Sequence, residues 1–161
     1  MNQLFGHIAT IEVHGSVALV DMHVKTTASD LRLSATLLGN QETLASWHSD
    51  QAVHILFKET EVALAKNLQG QISLRNRIPV QIFAIEDGQI LTRIILTIHG
   101  LADVRISSVI TTRSAKSLQL RVGDDVDALV KSNEMTIRAV QTIQAIQVKS
   151  IQTTVNEEKM R

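Results

Sequence analysis

The sequence predicts an all-β fold of two small barrels in tandem, each with one short helix. Three observations lead there: apolar residues that alternate with a period of two, turn signals that punctuate them, and a pattern that runs through the chain twice. NQLFGHIATIE, opening at Asn2, lies over NRIPVQIFAIE, opening at Asn76, and AVHILFKETEVAL lies over DVDALVKSNEMTI, so that residues 2–66 repeat as 76–140. The first strand runs to the turn signal His14–Gly15. SVALVDMHV follows it, with Ala18, Val20, Met22 and Val24 on one face and Asp21 and His23 on the other. In the second half Pro79 marks a strand entrance, where its missing N–H costs little. Asp87–Gly88 then turns the chain into QILTRIILTI, which sets Ile90, Thr92, Ile94, Leu96 and Ile98 on one face. His99–Gly100 turns it again into a strand alternating around Arg105, a brief helix spans Arg113 to Gln119, and Gly123–Asp124 introduces the last strands.

The expected boundaries are 1–70 for the first barrel, 71–140 for the second, and 141–161 for a tail that keeps neither period and ends in the solvated run NEEKMR. Units of roughly 65 residues bury too little surface to stand comfortably alone, so the copies are expected to pack on each other or on another chain, and a homo-oligomer is the expected state. The 161 residues are 44% hydrophobic and carry no net charge, with three Phe and one Trp as the only aromatic side chains besides histidine. A neutral chain without stacking platforms is not suited to bind nucleic acid directly. No apolar run reaches the roughly 20 residues of a membrane span and no secretory signal opens the sequence, so a cytoplasmic protein without membrane insertion is expected. The lack of cysteine excludes disulfides and thiolate chemistry.

The chemistry concentrates in three stretches. ITTRSAKSL crowds Thr111, Thr112 and Ser114 around a helix start, with Thr112 read as the cap. One hydroxyl suffices for a cap, and several beside free amides suit an oxyanion. ISLRN supplies Arg75, a planar fork of donors, and ALVKS supplies Lys131, a compact charge, both fitted to a tetrahedral dianion. Together SLRN, ITTRSAKSLQLRVG and ALVKS resemble the Mop family of molybdate-binding domains, the molbindins grouped under the TOBE domains. The resemblance covers nearly the whole chain as a tandem pair, strong in the second copy and partial in the first.

What the resemblance implies is a tandem of small barrels of the oligonucleotide-binding type that hold molybdate or tungstate at seams between units. One unit would offer Ser73, Arg75, Asn76, Lys131 and Ser132, and a neighbour would offer Thr111 and Ser114, with Thr112 added from its place at the helix start. The first copy departs from the pattern: Met1 stands where the arginine would be, Leu38 and Gln41 where Thr111 and Ser114 would be, and Glu59 follows Lys58 where Ser132 follows Lys131. That leaves Lys58 as the cation of a weak first-copy site, with a carboxylate beside it that repels a dianion.

No zinc-like spacing, nucleophile elbow or glycine-rich phosphate loop is present, so no catalysis is expected. Trp47 reads as a core or seam residue. The expected function is a cytosolic molybdate or tungstate binder that stores, buffers or delivers the oxyanion. The alternatives are the sensing module of a molybdate-responsive transcription regulator or the accessory domain of a molybdate transporter ATPase, either of which would make a transporter or regulator its partner. No Walker motif or winged-helix segment accompanies them here. A single-stranded nucleic-acid binder on the same barrel is disfavoured by charge and composition.

Overall fold

In the computed structural model, residues 1–141 are described; the expectation of a solvated tail falls on residues that, Gln141 apart, lie outside them. The first half consists of β1 Asn2–His14, β2 Val17–Val24, β3 Leu31–Leu38, α1 Gln41–Ala45, β4 Ala52–Phe57 and β5 Ala63–Ala65. The second half repeats it as β6 Asn76–Glu86, β7 Leu91–Ile98, β8 Leu101–Thr111, α2 Thr112–Ser117, β9 Asp125–Val130 and β10 Met135–Ala139. Even an irregularity recurs: the register shifts between Ile8 and Thr10 in β1 and between Ile82 and Ala84 in β6, a bulge that bends each long strand at the same place.

Two antiparallel five-stranded sheets result, ordered β10-β4-β1-β2-β3 and β5-β9-β6-β7-β8. The last strand of each half is exchanged. β10 pairs with β4 of the first half, Met135 opposite Phe57, and β5 pairs with β9 of the second, Ala63 opposite Leu129. The sheets therefore cut across the division expected at residue 70. The exchange is matched by the core, in which Leu4, Met22, Ile55 and Phe57 from one half and Ile78, Leu96, Val130 and Met135 from the other belong to one continuous apolar cluster.

The alternation read from sequence survives in detail, since Ala18, Val20, Met22 and Val24 are all buried, as are Thr92, Ile94, Leu96 and Ile98. Ile90 departs from it: it lies ahead of β7 and is 78% exposed. Pro79 is also displaced from expectation, because it is the fourth residue of β6, inside a central strand. It is tolerated because the β7 ladder ends at Ile98 opposite Val80. Beyond that end the Pro79 carbonyl still accepts from the His99 N–H at 3.1 Å, so only one terminal bond is missing.

Polar contacts lock the halves together. Asn76, fully buried at the head of β6, accepts the Ser34 N–H at 2.7 Å on Oδ1 and donates to the Ser34 carbonyl at 2.9 Å from Nδ2. Asn2, at the head of β1, makes the same pair with Ser107, at 2.7 and 2.8 Å. Each asparagine thus clips its own first strand to the third strand of the other half. Elsewhere the β2–β3 loop grips the β7–β8 turn: Thr27 N–H donates to the Gly100 carbonyl at 3.0 Å. Gly100 has φ +80 there, and a Cβ would fall 2.7 Å from the Ala28 nitrogen, so only glycine fits. Lys66, after β5, donates to the Asp124 carboxylate at 2.8 Å. That bond, with the Arg121 backbone N–H, holds the carboxyl below the usual carboxylate range.

Removing either amide leaves a buried backbone N–H and C=O without partners. Asn76→Ala and Asn2→Ala should each lower unfolding free energy by about 2–4 kcal/mol, measured by denaturant titration. A loss below about 0.5 kcal/mol in both would show that the clips do not hold the halves.

Candidate functional site at the seams between the halves

The helix start that crowds three hydroxyls is built one residue earlier than expected. α2 runs Thr112–Ser117 and its cap is Thr111, not Thr112; Gln119, at φ 49, has already left the helix. Thr111 Oγ1 accepts the Ser114 N–H at 3.1 Å and donates to Ser114 Oγ at 2.8 Å, and both residues are exposed. Thr112 differs: it is buried, with its Oγ1 2.8 Å from the Gly88 carbonyl and 2.9 Å from Thr92 Oγ1. Its hydroxyl ties α2 to β7 and the preceding turn, so two of the three predicted hydroxyls remain at the surface.

The cationic stretches meet on the other half's third strand. Asn76 heads β6 opposite Val130, the last residue of β9, so the segment before β6 and the segment after β9 leave the sheet side by side. Arg75 lies on one and Lys131 on the other, both exposed. Next to Lys131, Ser132 begins a single 3-10 turn, Ser132–Glu134, that packs on β3, and its Oγ accepts from Thr36 Oγ1 at 2.9 Å. Arg75 also lines a cleft of about 260 Å³ with Thr10, Asp21, His23, Arg32 and Ser34. Ser73 is exposed in the linker before β6.

The structure therefore brings Arg75, Asn76, Lys131 and Ser132 to one seam, against β3. It also changes the role of Asn76, whose amide is committed to Ser34 and is not free for a ligand. Ser34, Thr36 and Arg32, on β3, share this seam and escaped the sequence reading. The signal was there in LRLSATLL, whose residues 32, 34 and 36 are polar at a period of two.

The second seam repeats the first with the halves reversed. There β8 packs on the 3-10 turn Glu59–Glu61, next to Asn2 and Lys58. Lys58 is exposed, and the Glu59 carboxylate accepts from the Arg93 guanidinium at 3.1 Å. Thr111 is the last residue of β8, the strand that forms this second seam, and Ser114 follows it in α2. Within one chain the cation set and the hydroxyl set thus stand on different seams.

The TOBE domain family matches residues 72–137. Over 121 residues, 74% of this chain, the sequence is 30% identical to the molybdenum import ATP-binding protein ModC of Brucella abortus (strain 2308). Over 106 residues, 60% of the chain, it is 28% identical to the molybdenum transport protein ModE of Herbaspirillum seropedicae. The chain spans only 32% and 39% of the lengths of those relatives. In fold it is similar to the cytoplasmic molybdate-binding protein ModG, crystallised with molybdate bound. The TM-score is 0.78 over 86% of this chain and 96% of that one, at 20% sequence identity. The TOBE match thus covers the second half, residues 72–137, and the first half repeats the same fold ahead of it.

Proposed function

We propose that the protein binds molybdate or tungstate at the seam formed by Arg75, Lys131 and Ser132, and that it acts as a cytoplasmic store, buffer or delivery protein for the oxyanion rather than as an enzyme. The observation behind this reading is that the segments carrying Arg75 and Lys131 leave adjacent strands at one end of the sheet, with Ser132 following Lys131 onto β3, all in stretches that resemble the molybdate-binding motif. Arg75 offers a planar pair of donors and Lys131 a point charge, which together neutralise a dianion. Ser73 and Ser132 add neutral donors, and Asn76 positions the strand that carries Arg75. The relatives named for molybdenum import and transport and the fold shared with a molybdate-binding protein support the choice of ligand. No helix among the described residues is long and apolar enough to cross a membrane.

Thr111 and Ser114 complete the ligand set from a second copy of the chain, because in their own chain they stand on the seam that lacks Arg75. A homo-oligomer is therefore part of the proposal. A second reading treats the chain as the oxyanion-sensing part of a transporter or regulator assembly. It is favoured by the alignment of 74% of this chain with part of a much longer import ATP-binding protein.

Molybdate at 100 times its dissociation constant should raise unfolding free energy by about 2.7 kcal/mol, and tungstate should act alike. Sulfate, smaller and left with unmatched donors, should do much less. A melting curve unmoved by molybdate and tungstate would contradict the reading.

Arg75→Ala and Lys131→Ala should each weaken molybdate binding about ten- to a hundredfold by calorimetry, since each removes a charge-assisted donor worth roughly 1.5–3 kcal/mol. Thr111→Val should cost less yet remain measurable, since it deletes one neutral donor at nearly constant shape. Native mass spectrometry should find more than one chain per particle in the molybdate complex, and mixing Arg75→Ala chains with Thr111→Val chains should restore part of the affinity lost by either. Monomeric particles that bind molybdate at full affinity would exclude the shared site.

A further inference from the structure

The two seams can be compared residue by residue, because the repeat superimposes their registers. In the first, Thr36 on β3 stands opposite Leu19 on β2 and donates to Ser132. In the second, Val109 on β8 stands opposite Arg93 on β7, and Glu59 holds the place of Ser132. Three positions thus change together. A hydroxyl pair, Thr36 with Ser132, is replaced by a valine and a carboxylate, and an aliphatic residue is replaced by a guanidinium that reaches that carboxylate at 3.1 Å. Arg93 is held from its other side by Glu86, at 3.7 Å. The Glu59 side chain is 26% exposed, so its charge is only partly screened by water.

A carboxylate placed one residue after Lys58 matches the sign and size of half an oxyanion. Being tethered, it competes without the entropic cost of capturing a free ion. It also lies where a bound dianion would meet Ser132 in the first seam, and like charges at that separation repel. We propose that Glu59 is a built-in occupant of the anion position of the second seam, paired with Arg93, and that it confines oxyanion binding to the Arg75–Lys131 seam. This inference rests on the molybdate-binding reading and adds to it a residue that sets how many ions each chain carries.

The experiment is calorimetric titration of the full chain and its variants with sodium molybdate. Glu59→Ser should double the number of ions bound per chain. The added class should be weaker than the first, because Met1 replaces Arg75 there, while the original class keeps its affinity. Glu59→Gln, which preserves shape and removes charge, should also expose the second class and guards against misfolding of the serine variant. Ser132→Glu should transplant the device and weaken wild-type binding at least a hundredfold. Wild-type stoichiometry in both Glu59 variants, or wild-type affinity in Ser132→Glu, would overturn the inference. If the wild-type chain itself fails to bind molybdate, the functional reading fails instead, which is a separate result.

Discussion

Two buried asparagine side chains hold the constraint on which the remaining architecture depends. Asn2 and Asn76 each satisfy a backbone N–H and C=O on a strand of the opposite half, so neither half can shift against the other without leaving four buried polar groups unpaired. A plain apolar contact would tolerate sliding by a residue; a pair of amide bonds to one serine does not. Because Asn76 heads the strand that Arg75 introduces, and pairs across from the strand that Lys131 leaves, the same clip that registers the halves fixes where the cations emerge. Assembly and ligand geometry share one set of bonds.

The near symmetry makes the differences informative. Two seams with the same backbone differ in how their charges are arranged: in one, the stretches of Arg75 and Lys131 hold no carboxylate and Asp21 lines the cleft beside Arg75, and in the other, Lys58 is followed directly by Glu59, whose carboxylate is paired to Arg93. In a dimer of identical chains every substitution would appear in both seams at once. Joined in one polypeptide, each seam can be tuned by itself, and the changes at positions 19/93, 36/109 and 59/132 are of that kind.

The strands were legible because one face of each is buried. Alternation in SVALVDMHV and TRIILTI reports that burial directly, and the repeat made the second half a check on the first. Partner choice was not legible. The β5 stretch ALA and the β10 stretch MTIRA have the same pattern whichever sheet edge they join, and the decision comes from contacts far away in sequence. For the same reason Asn76 reads from sequence as a ligand: its partner, Ser34, is 42 residues away, and nothing local reveals that its amide is spent. At the helix start the difference is one residue. Thr111 and Thr112 are equally good caps by type, and only the burial of Thr112 against Thr92 decides between them. Pro79 lies inside its own strand but at the end of the β6–β7 ladder, and only the ladder decides whether a missing N–H is costly.

The exchange of the last strands also sets the order in which the molecule can be made. β4 acquires its outer neighbour only when residues 135–139 exist, so the first sheet stays incomplete throughout synthesis of nearly the entire second half. A ribosome extends the chain at about 5–20 residues per second, which leaves β4 with an open edge for several seconds on each nascent protein. Pairings that span so much sequence are slow to close even in the finished chain. Crowding many unfinished chains together, as rapid protein production does, is thus a condition under which that open edge can pair with the wrong neighbour.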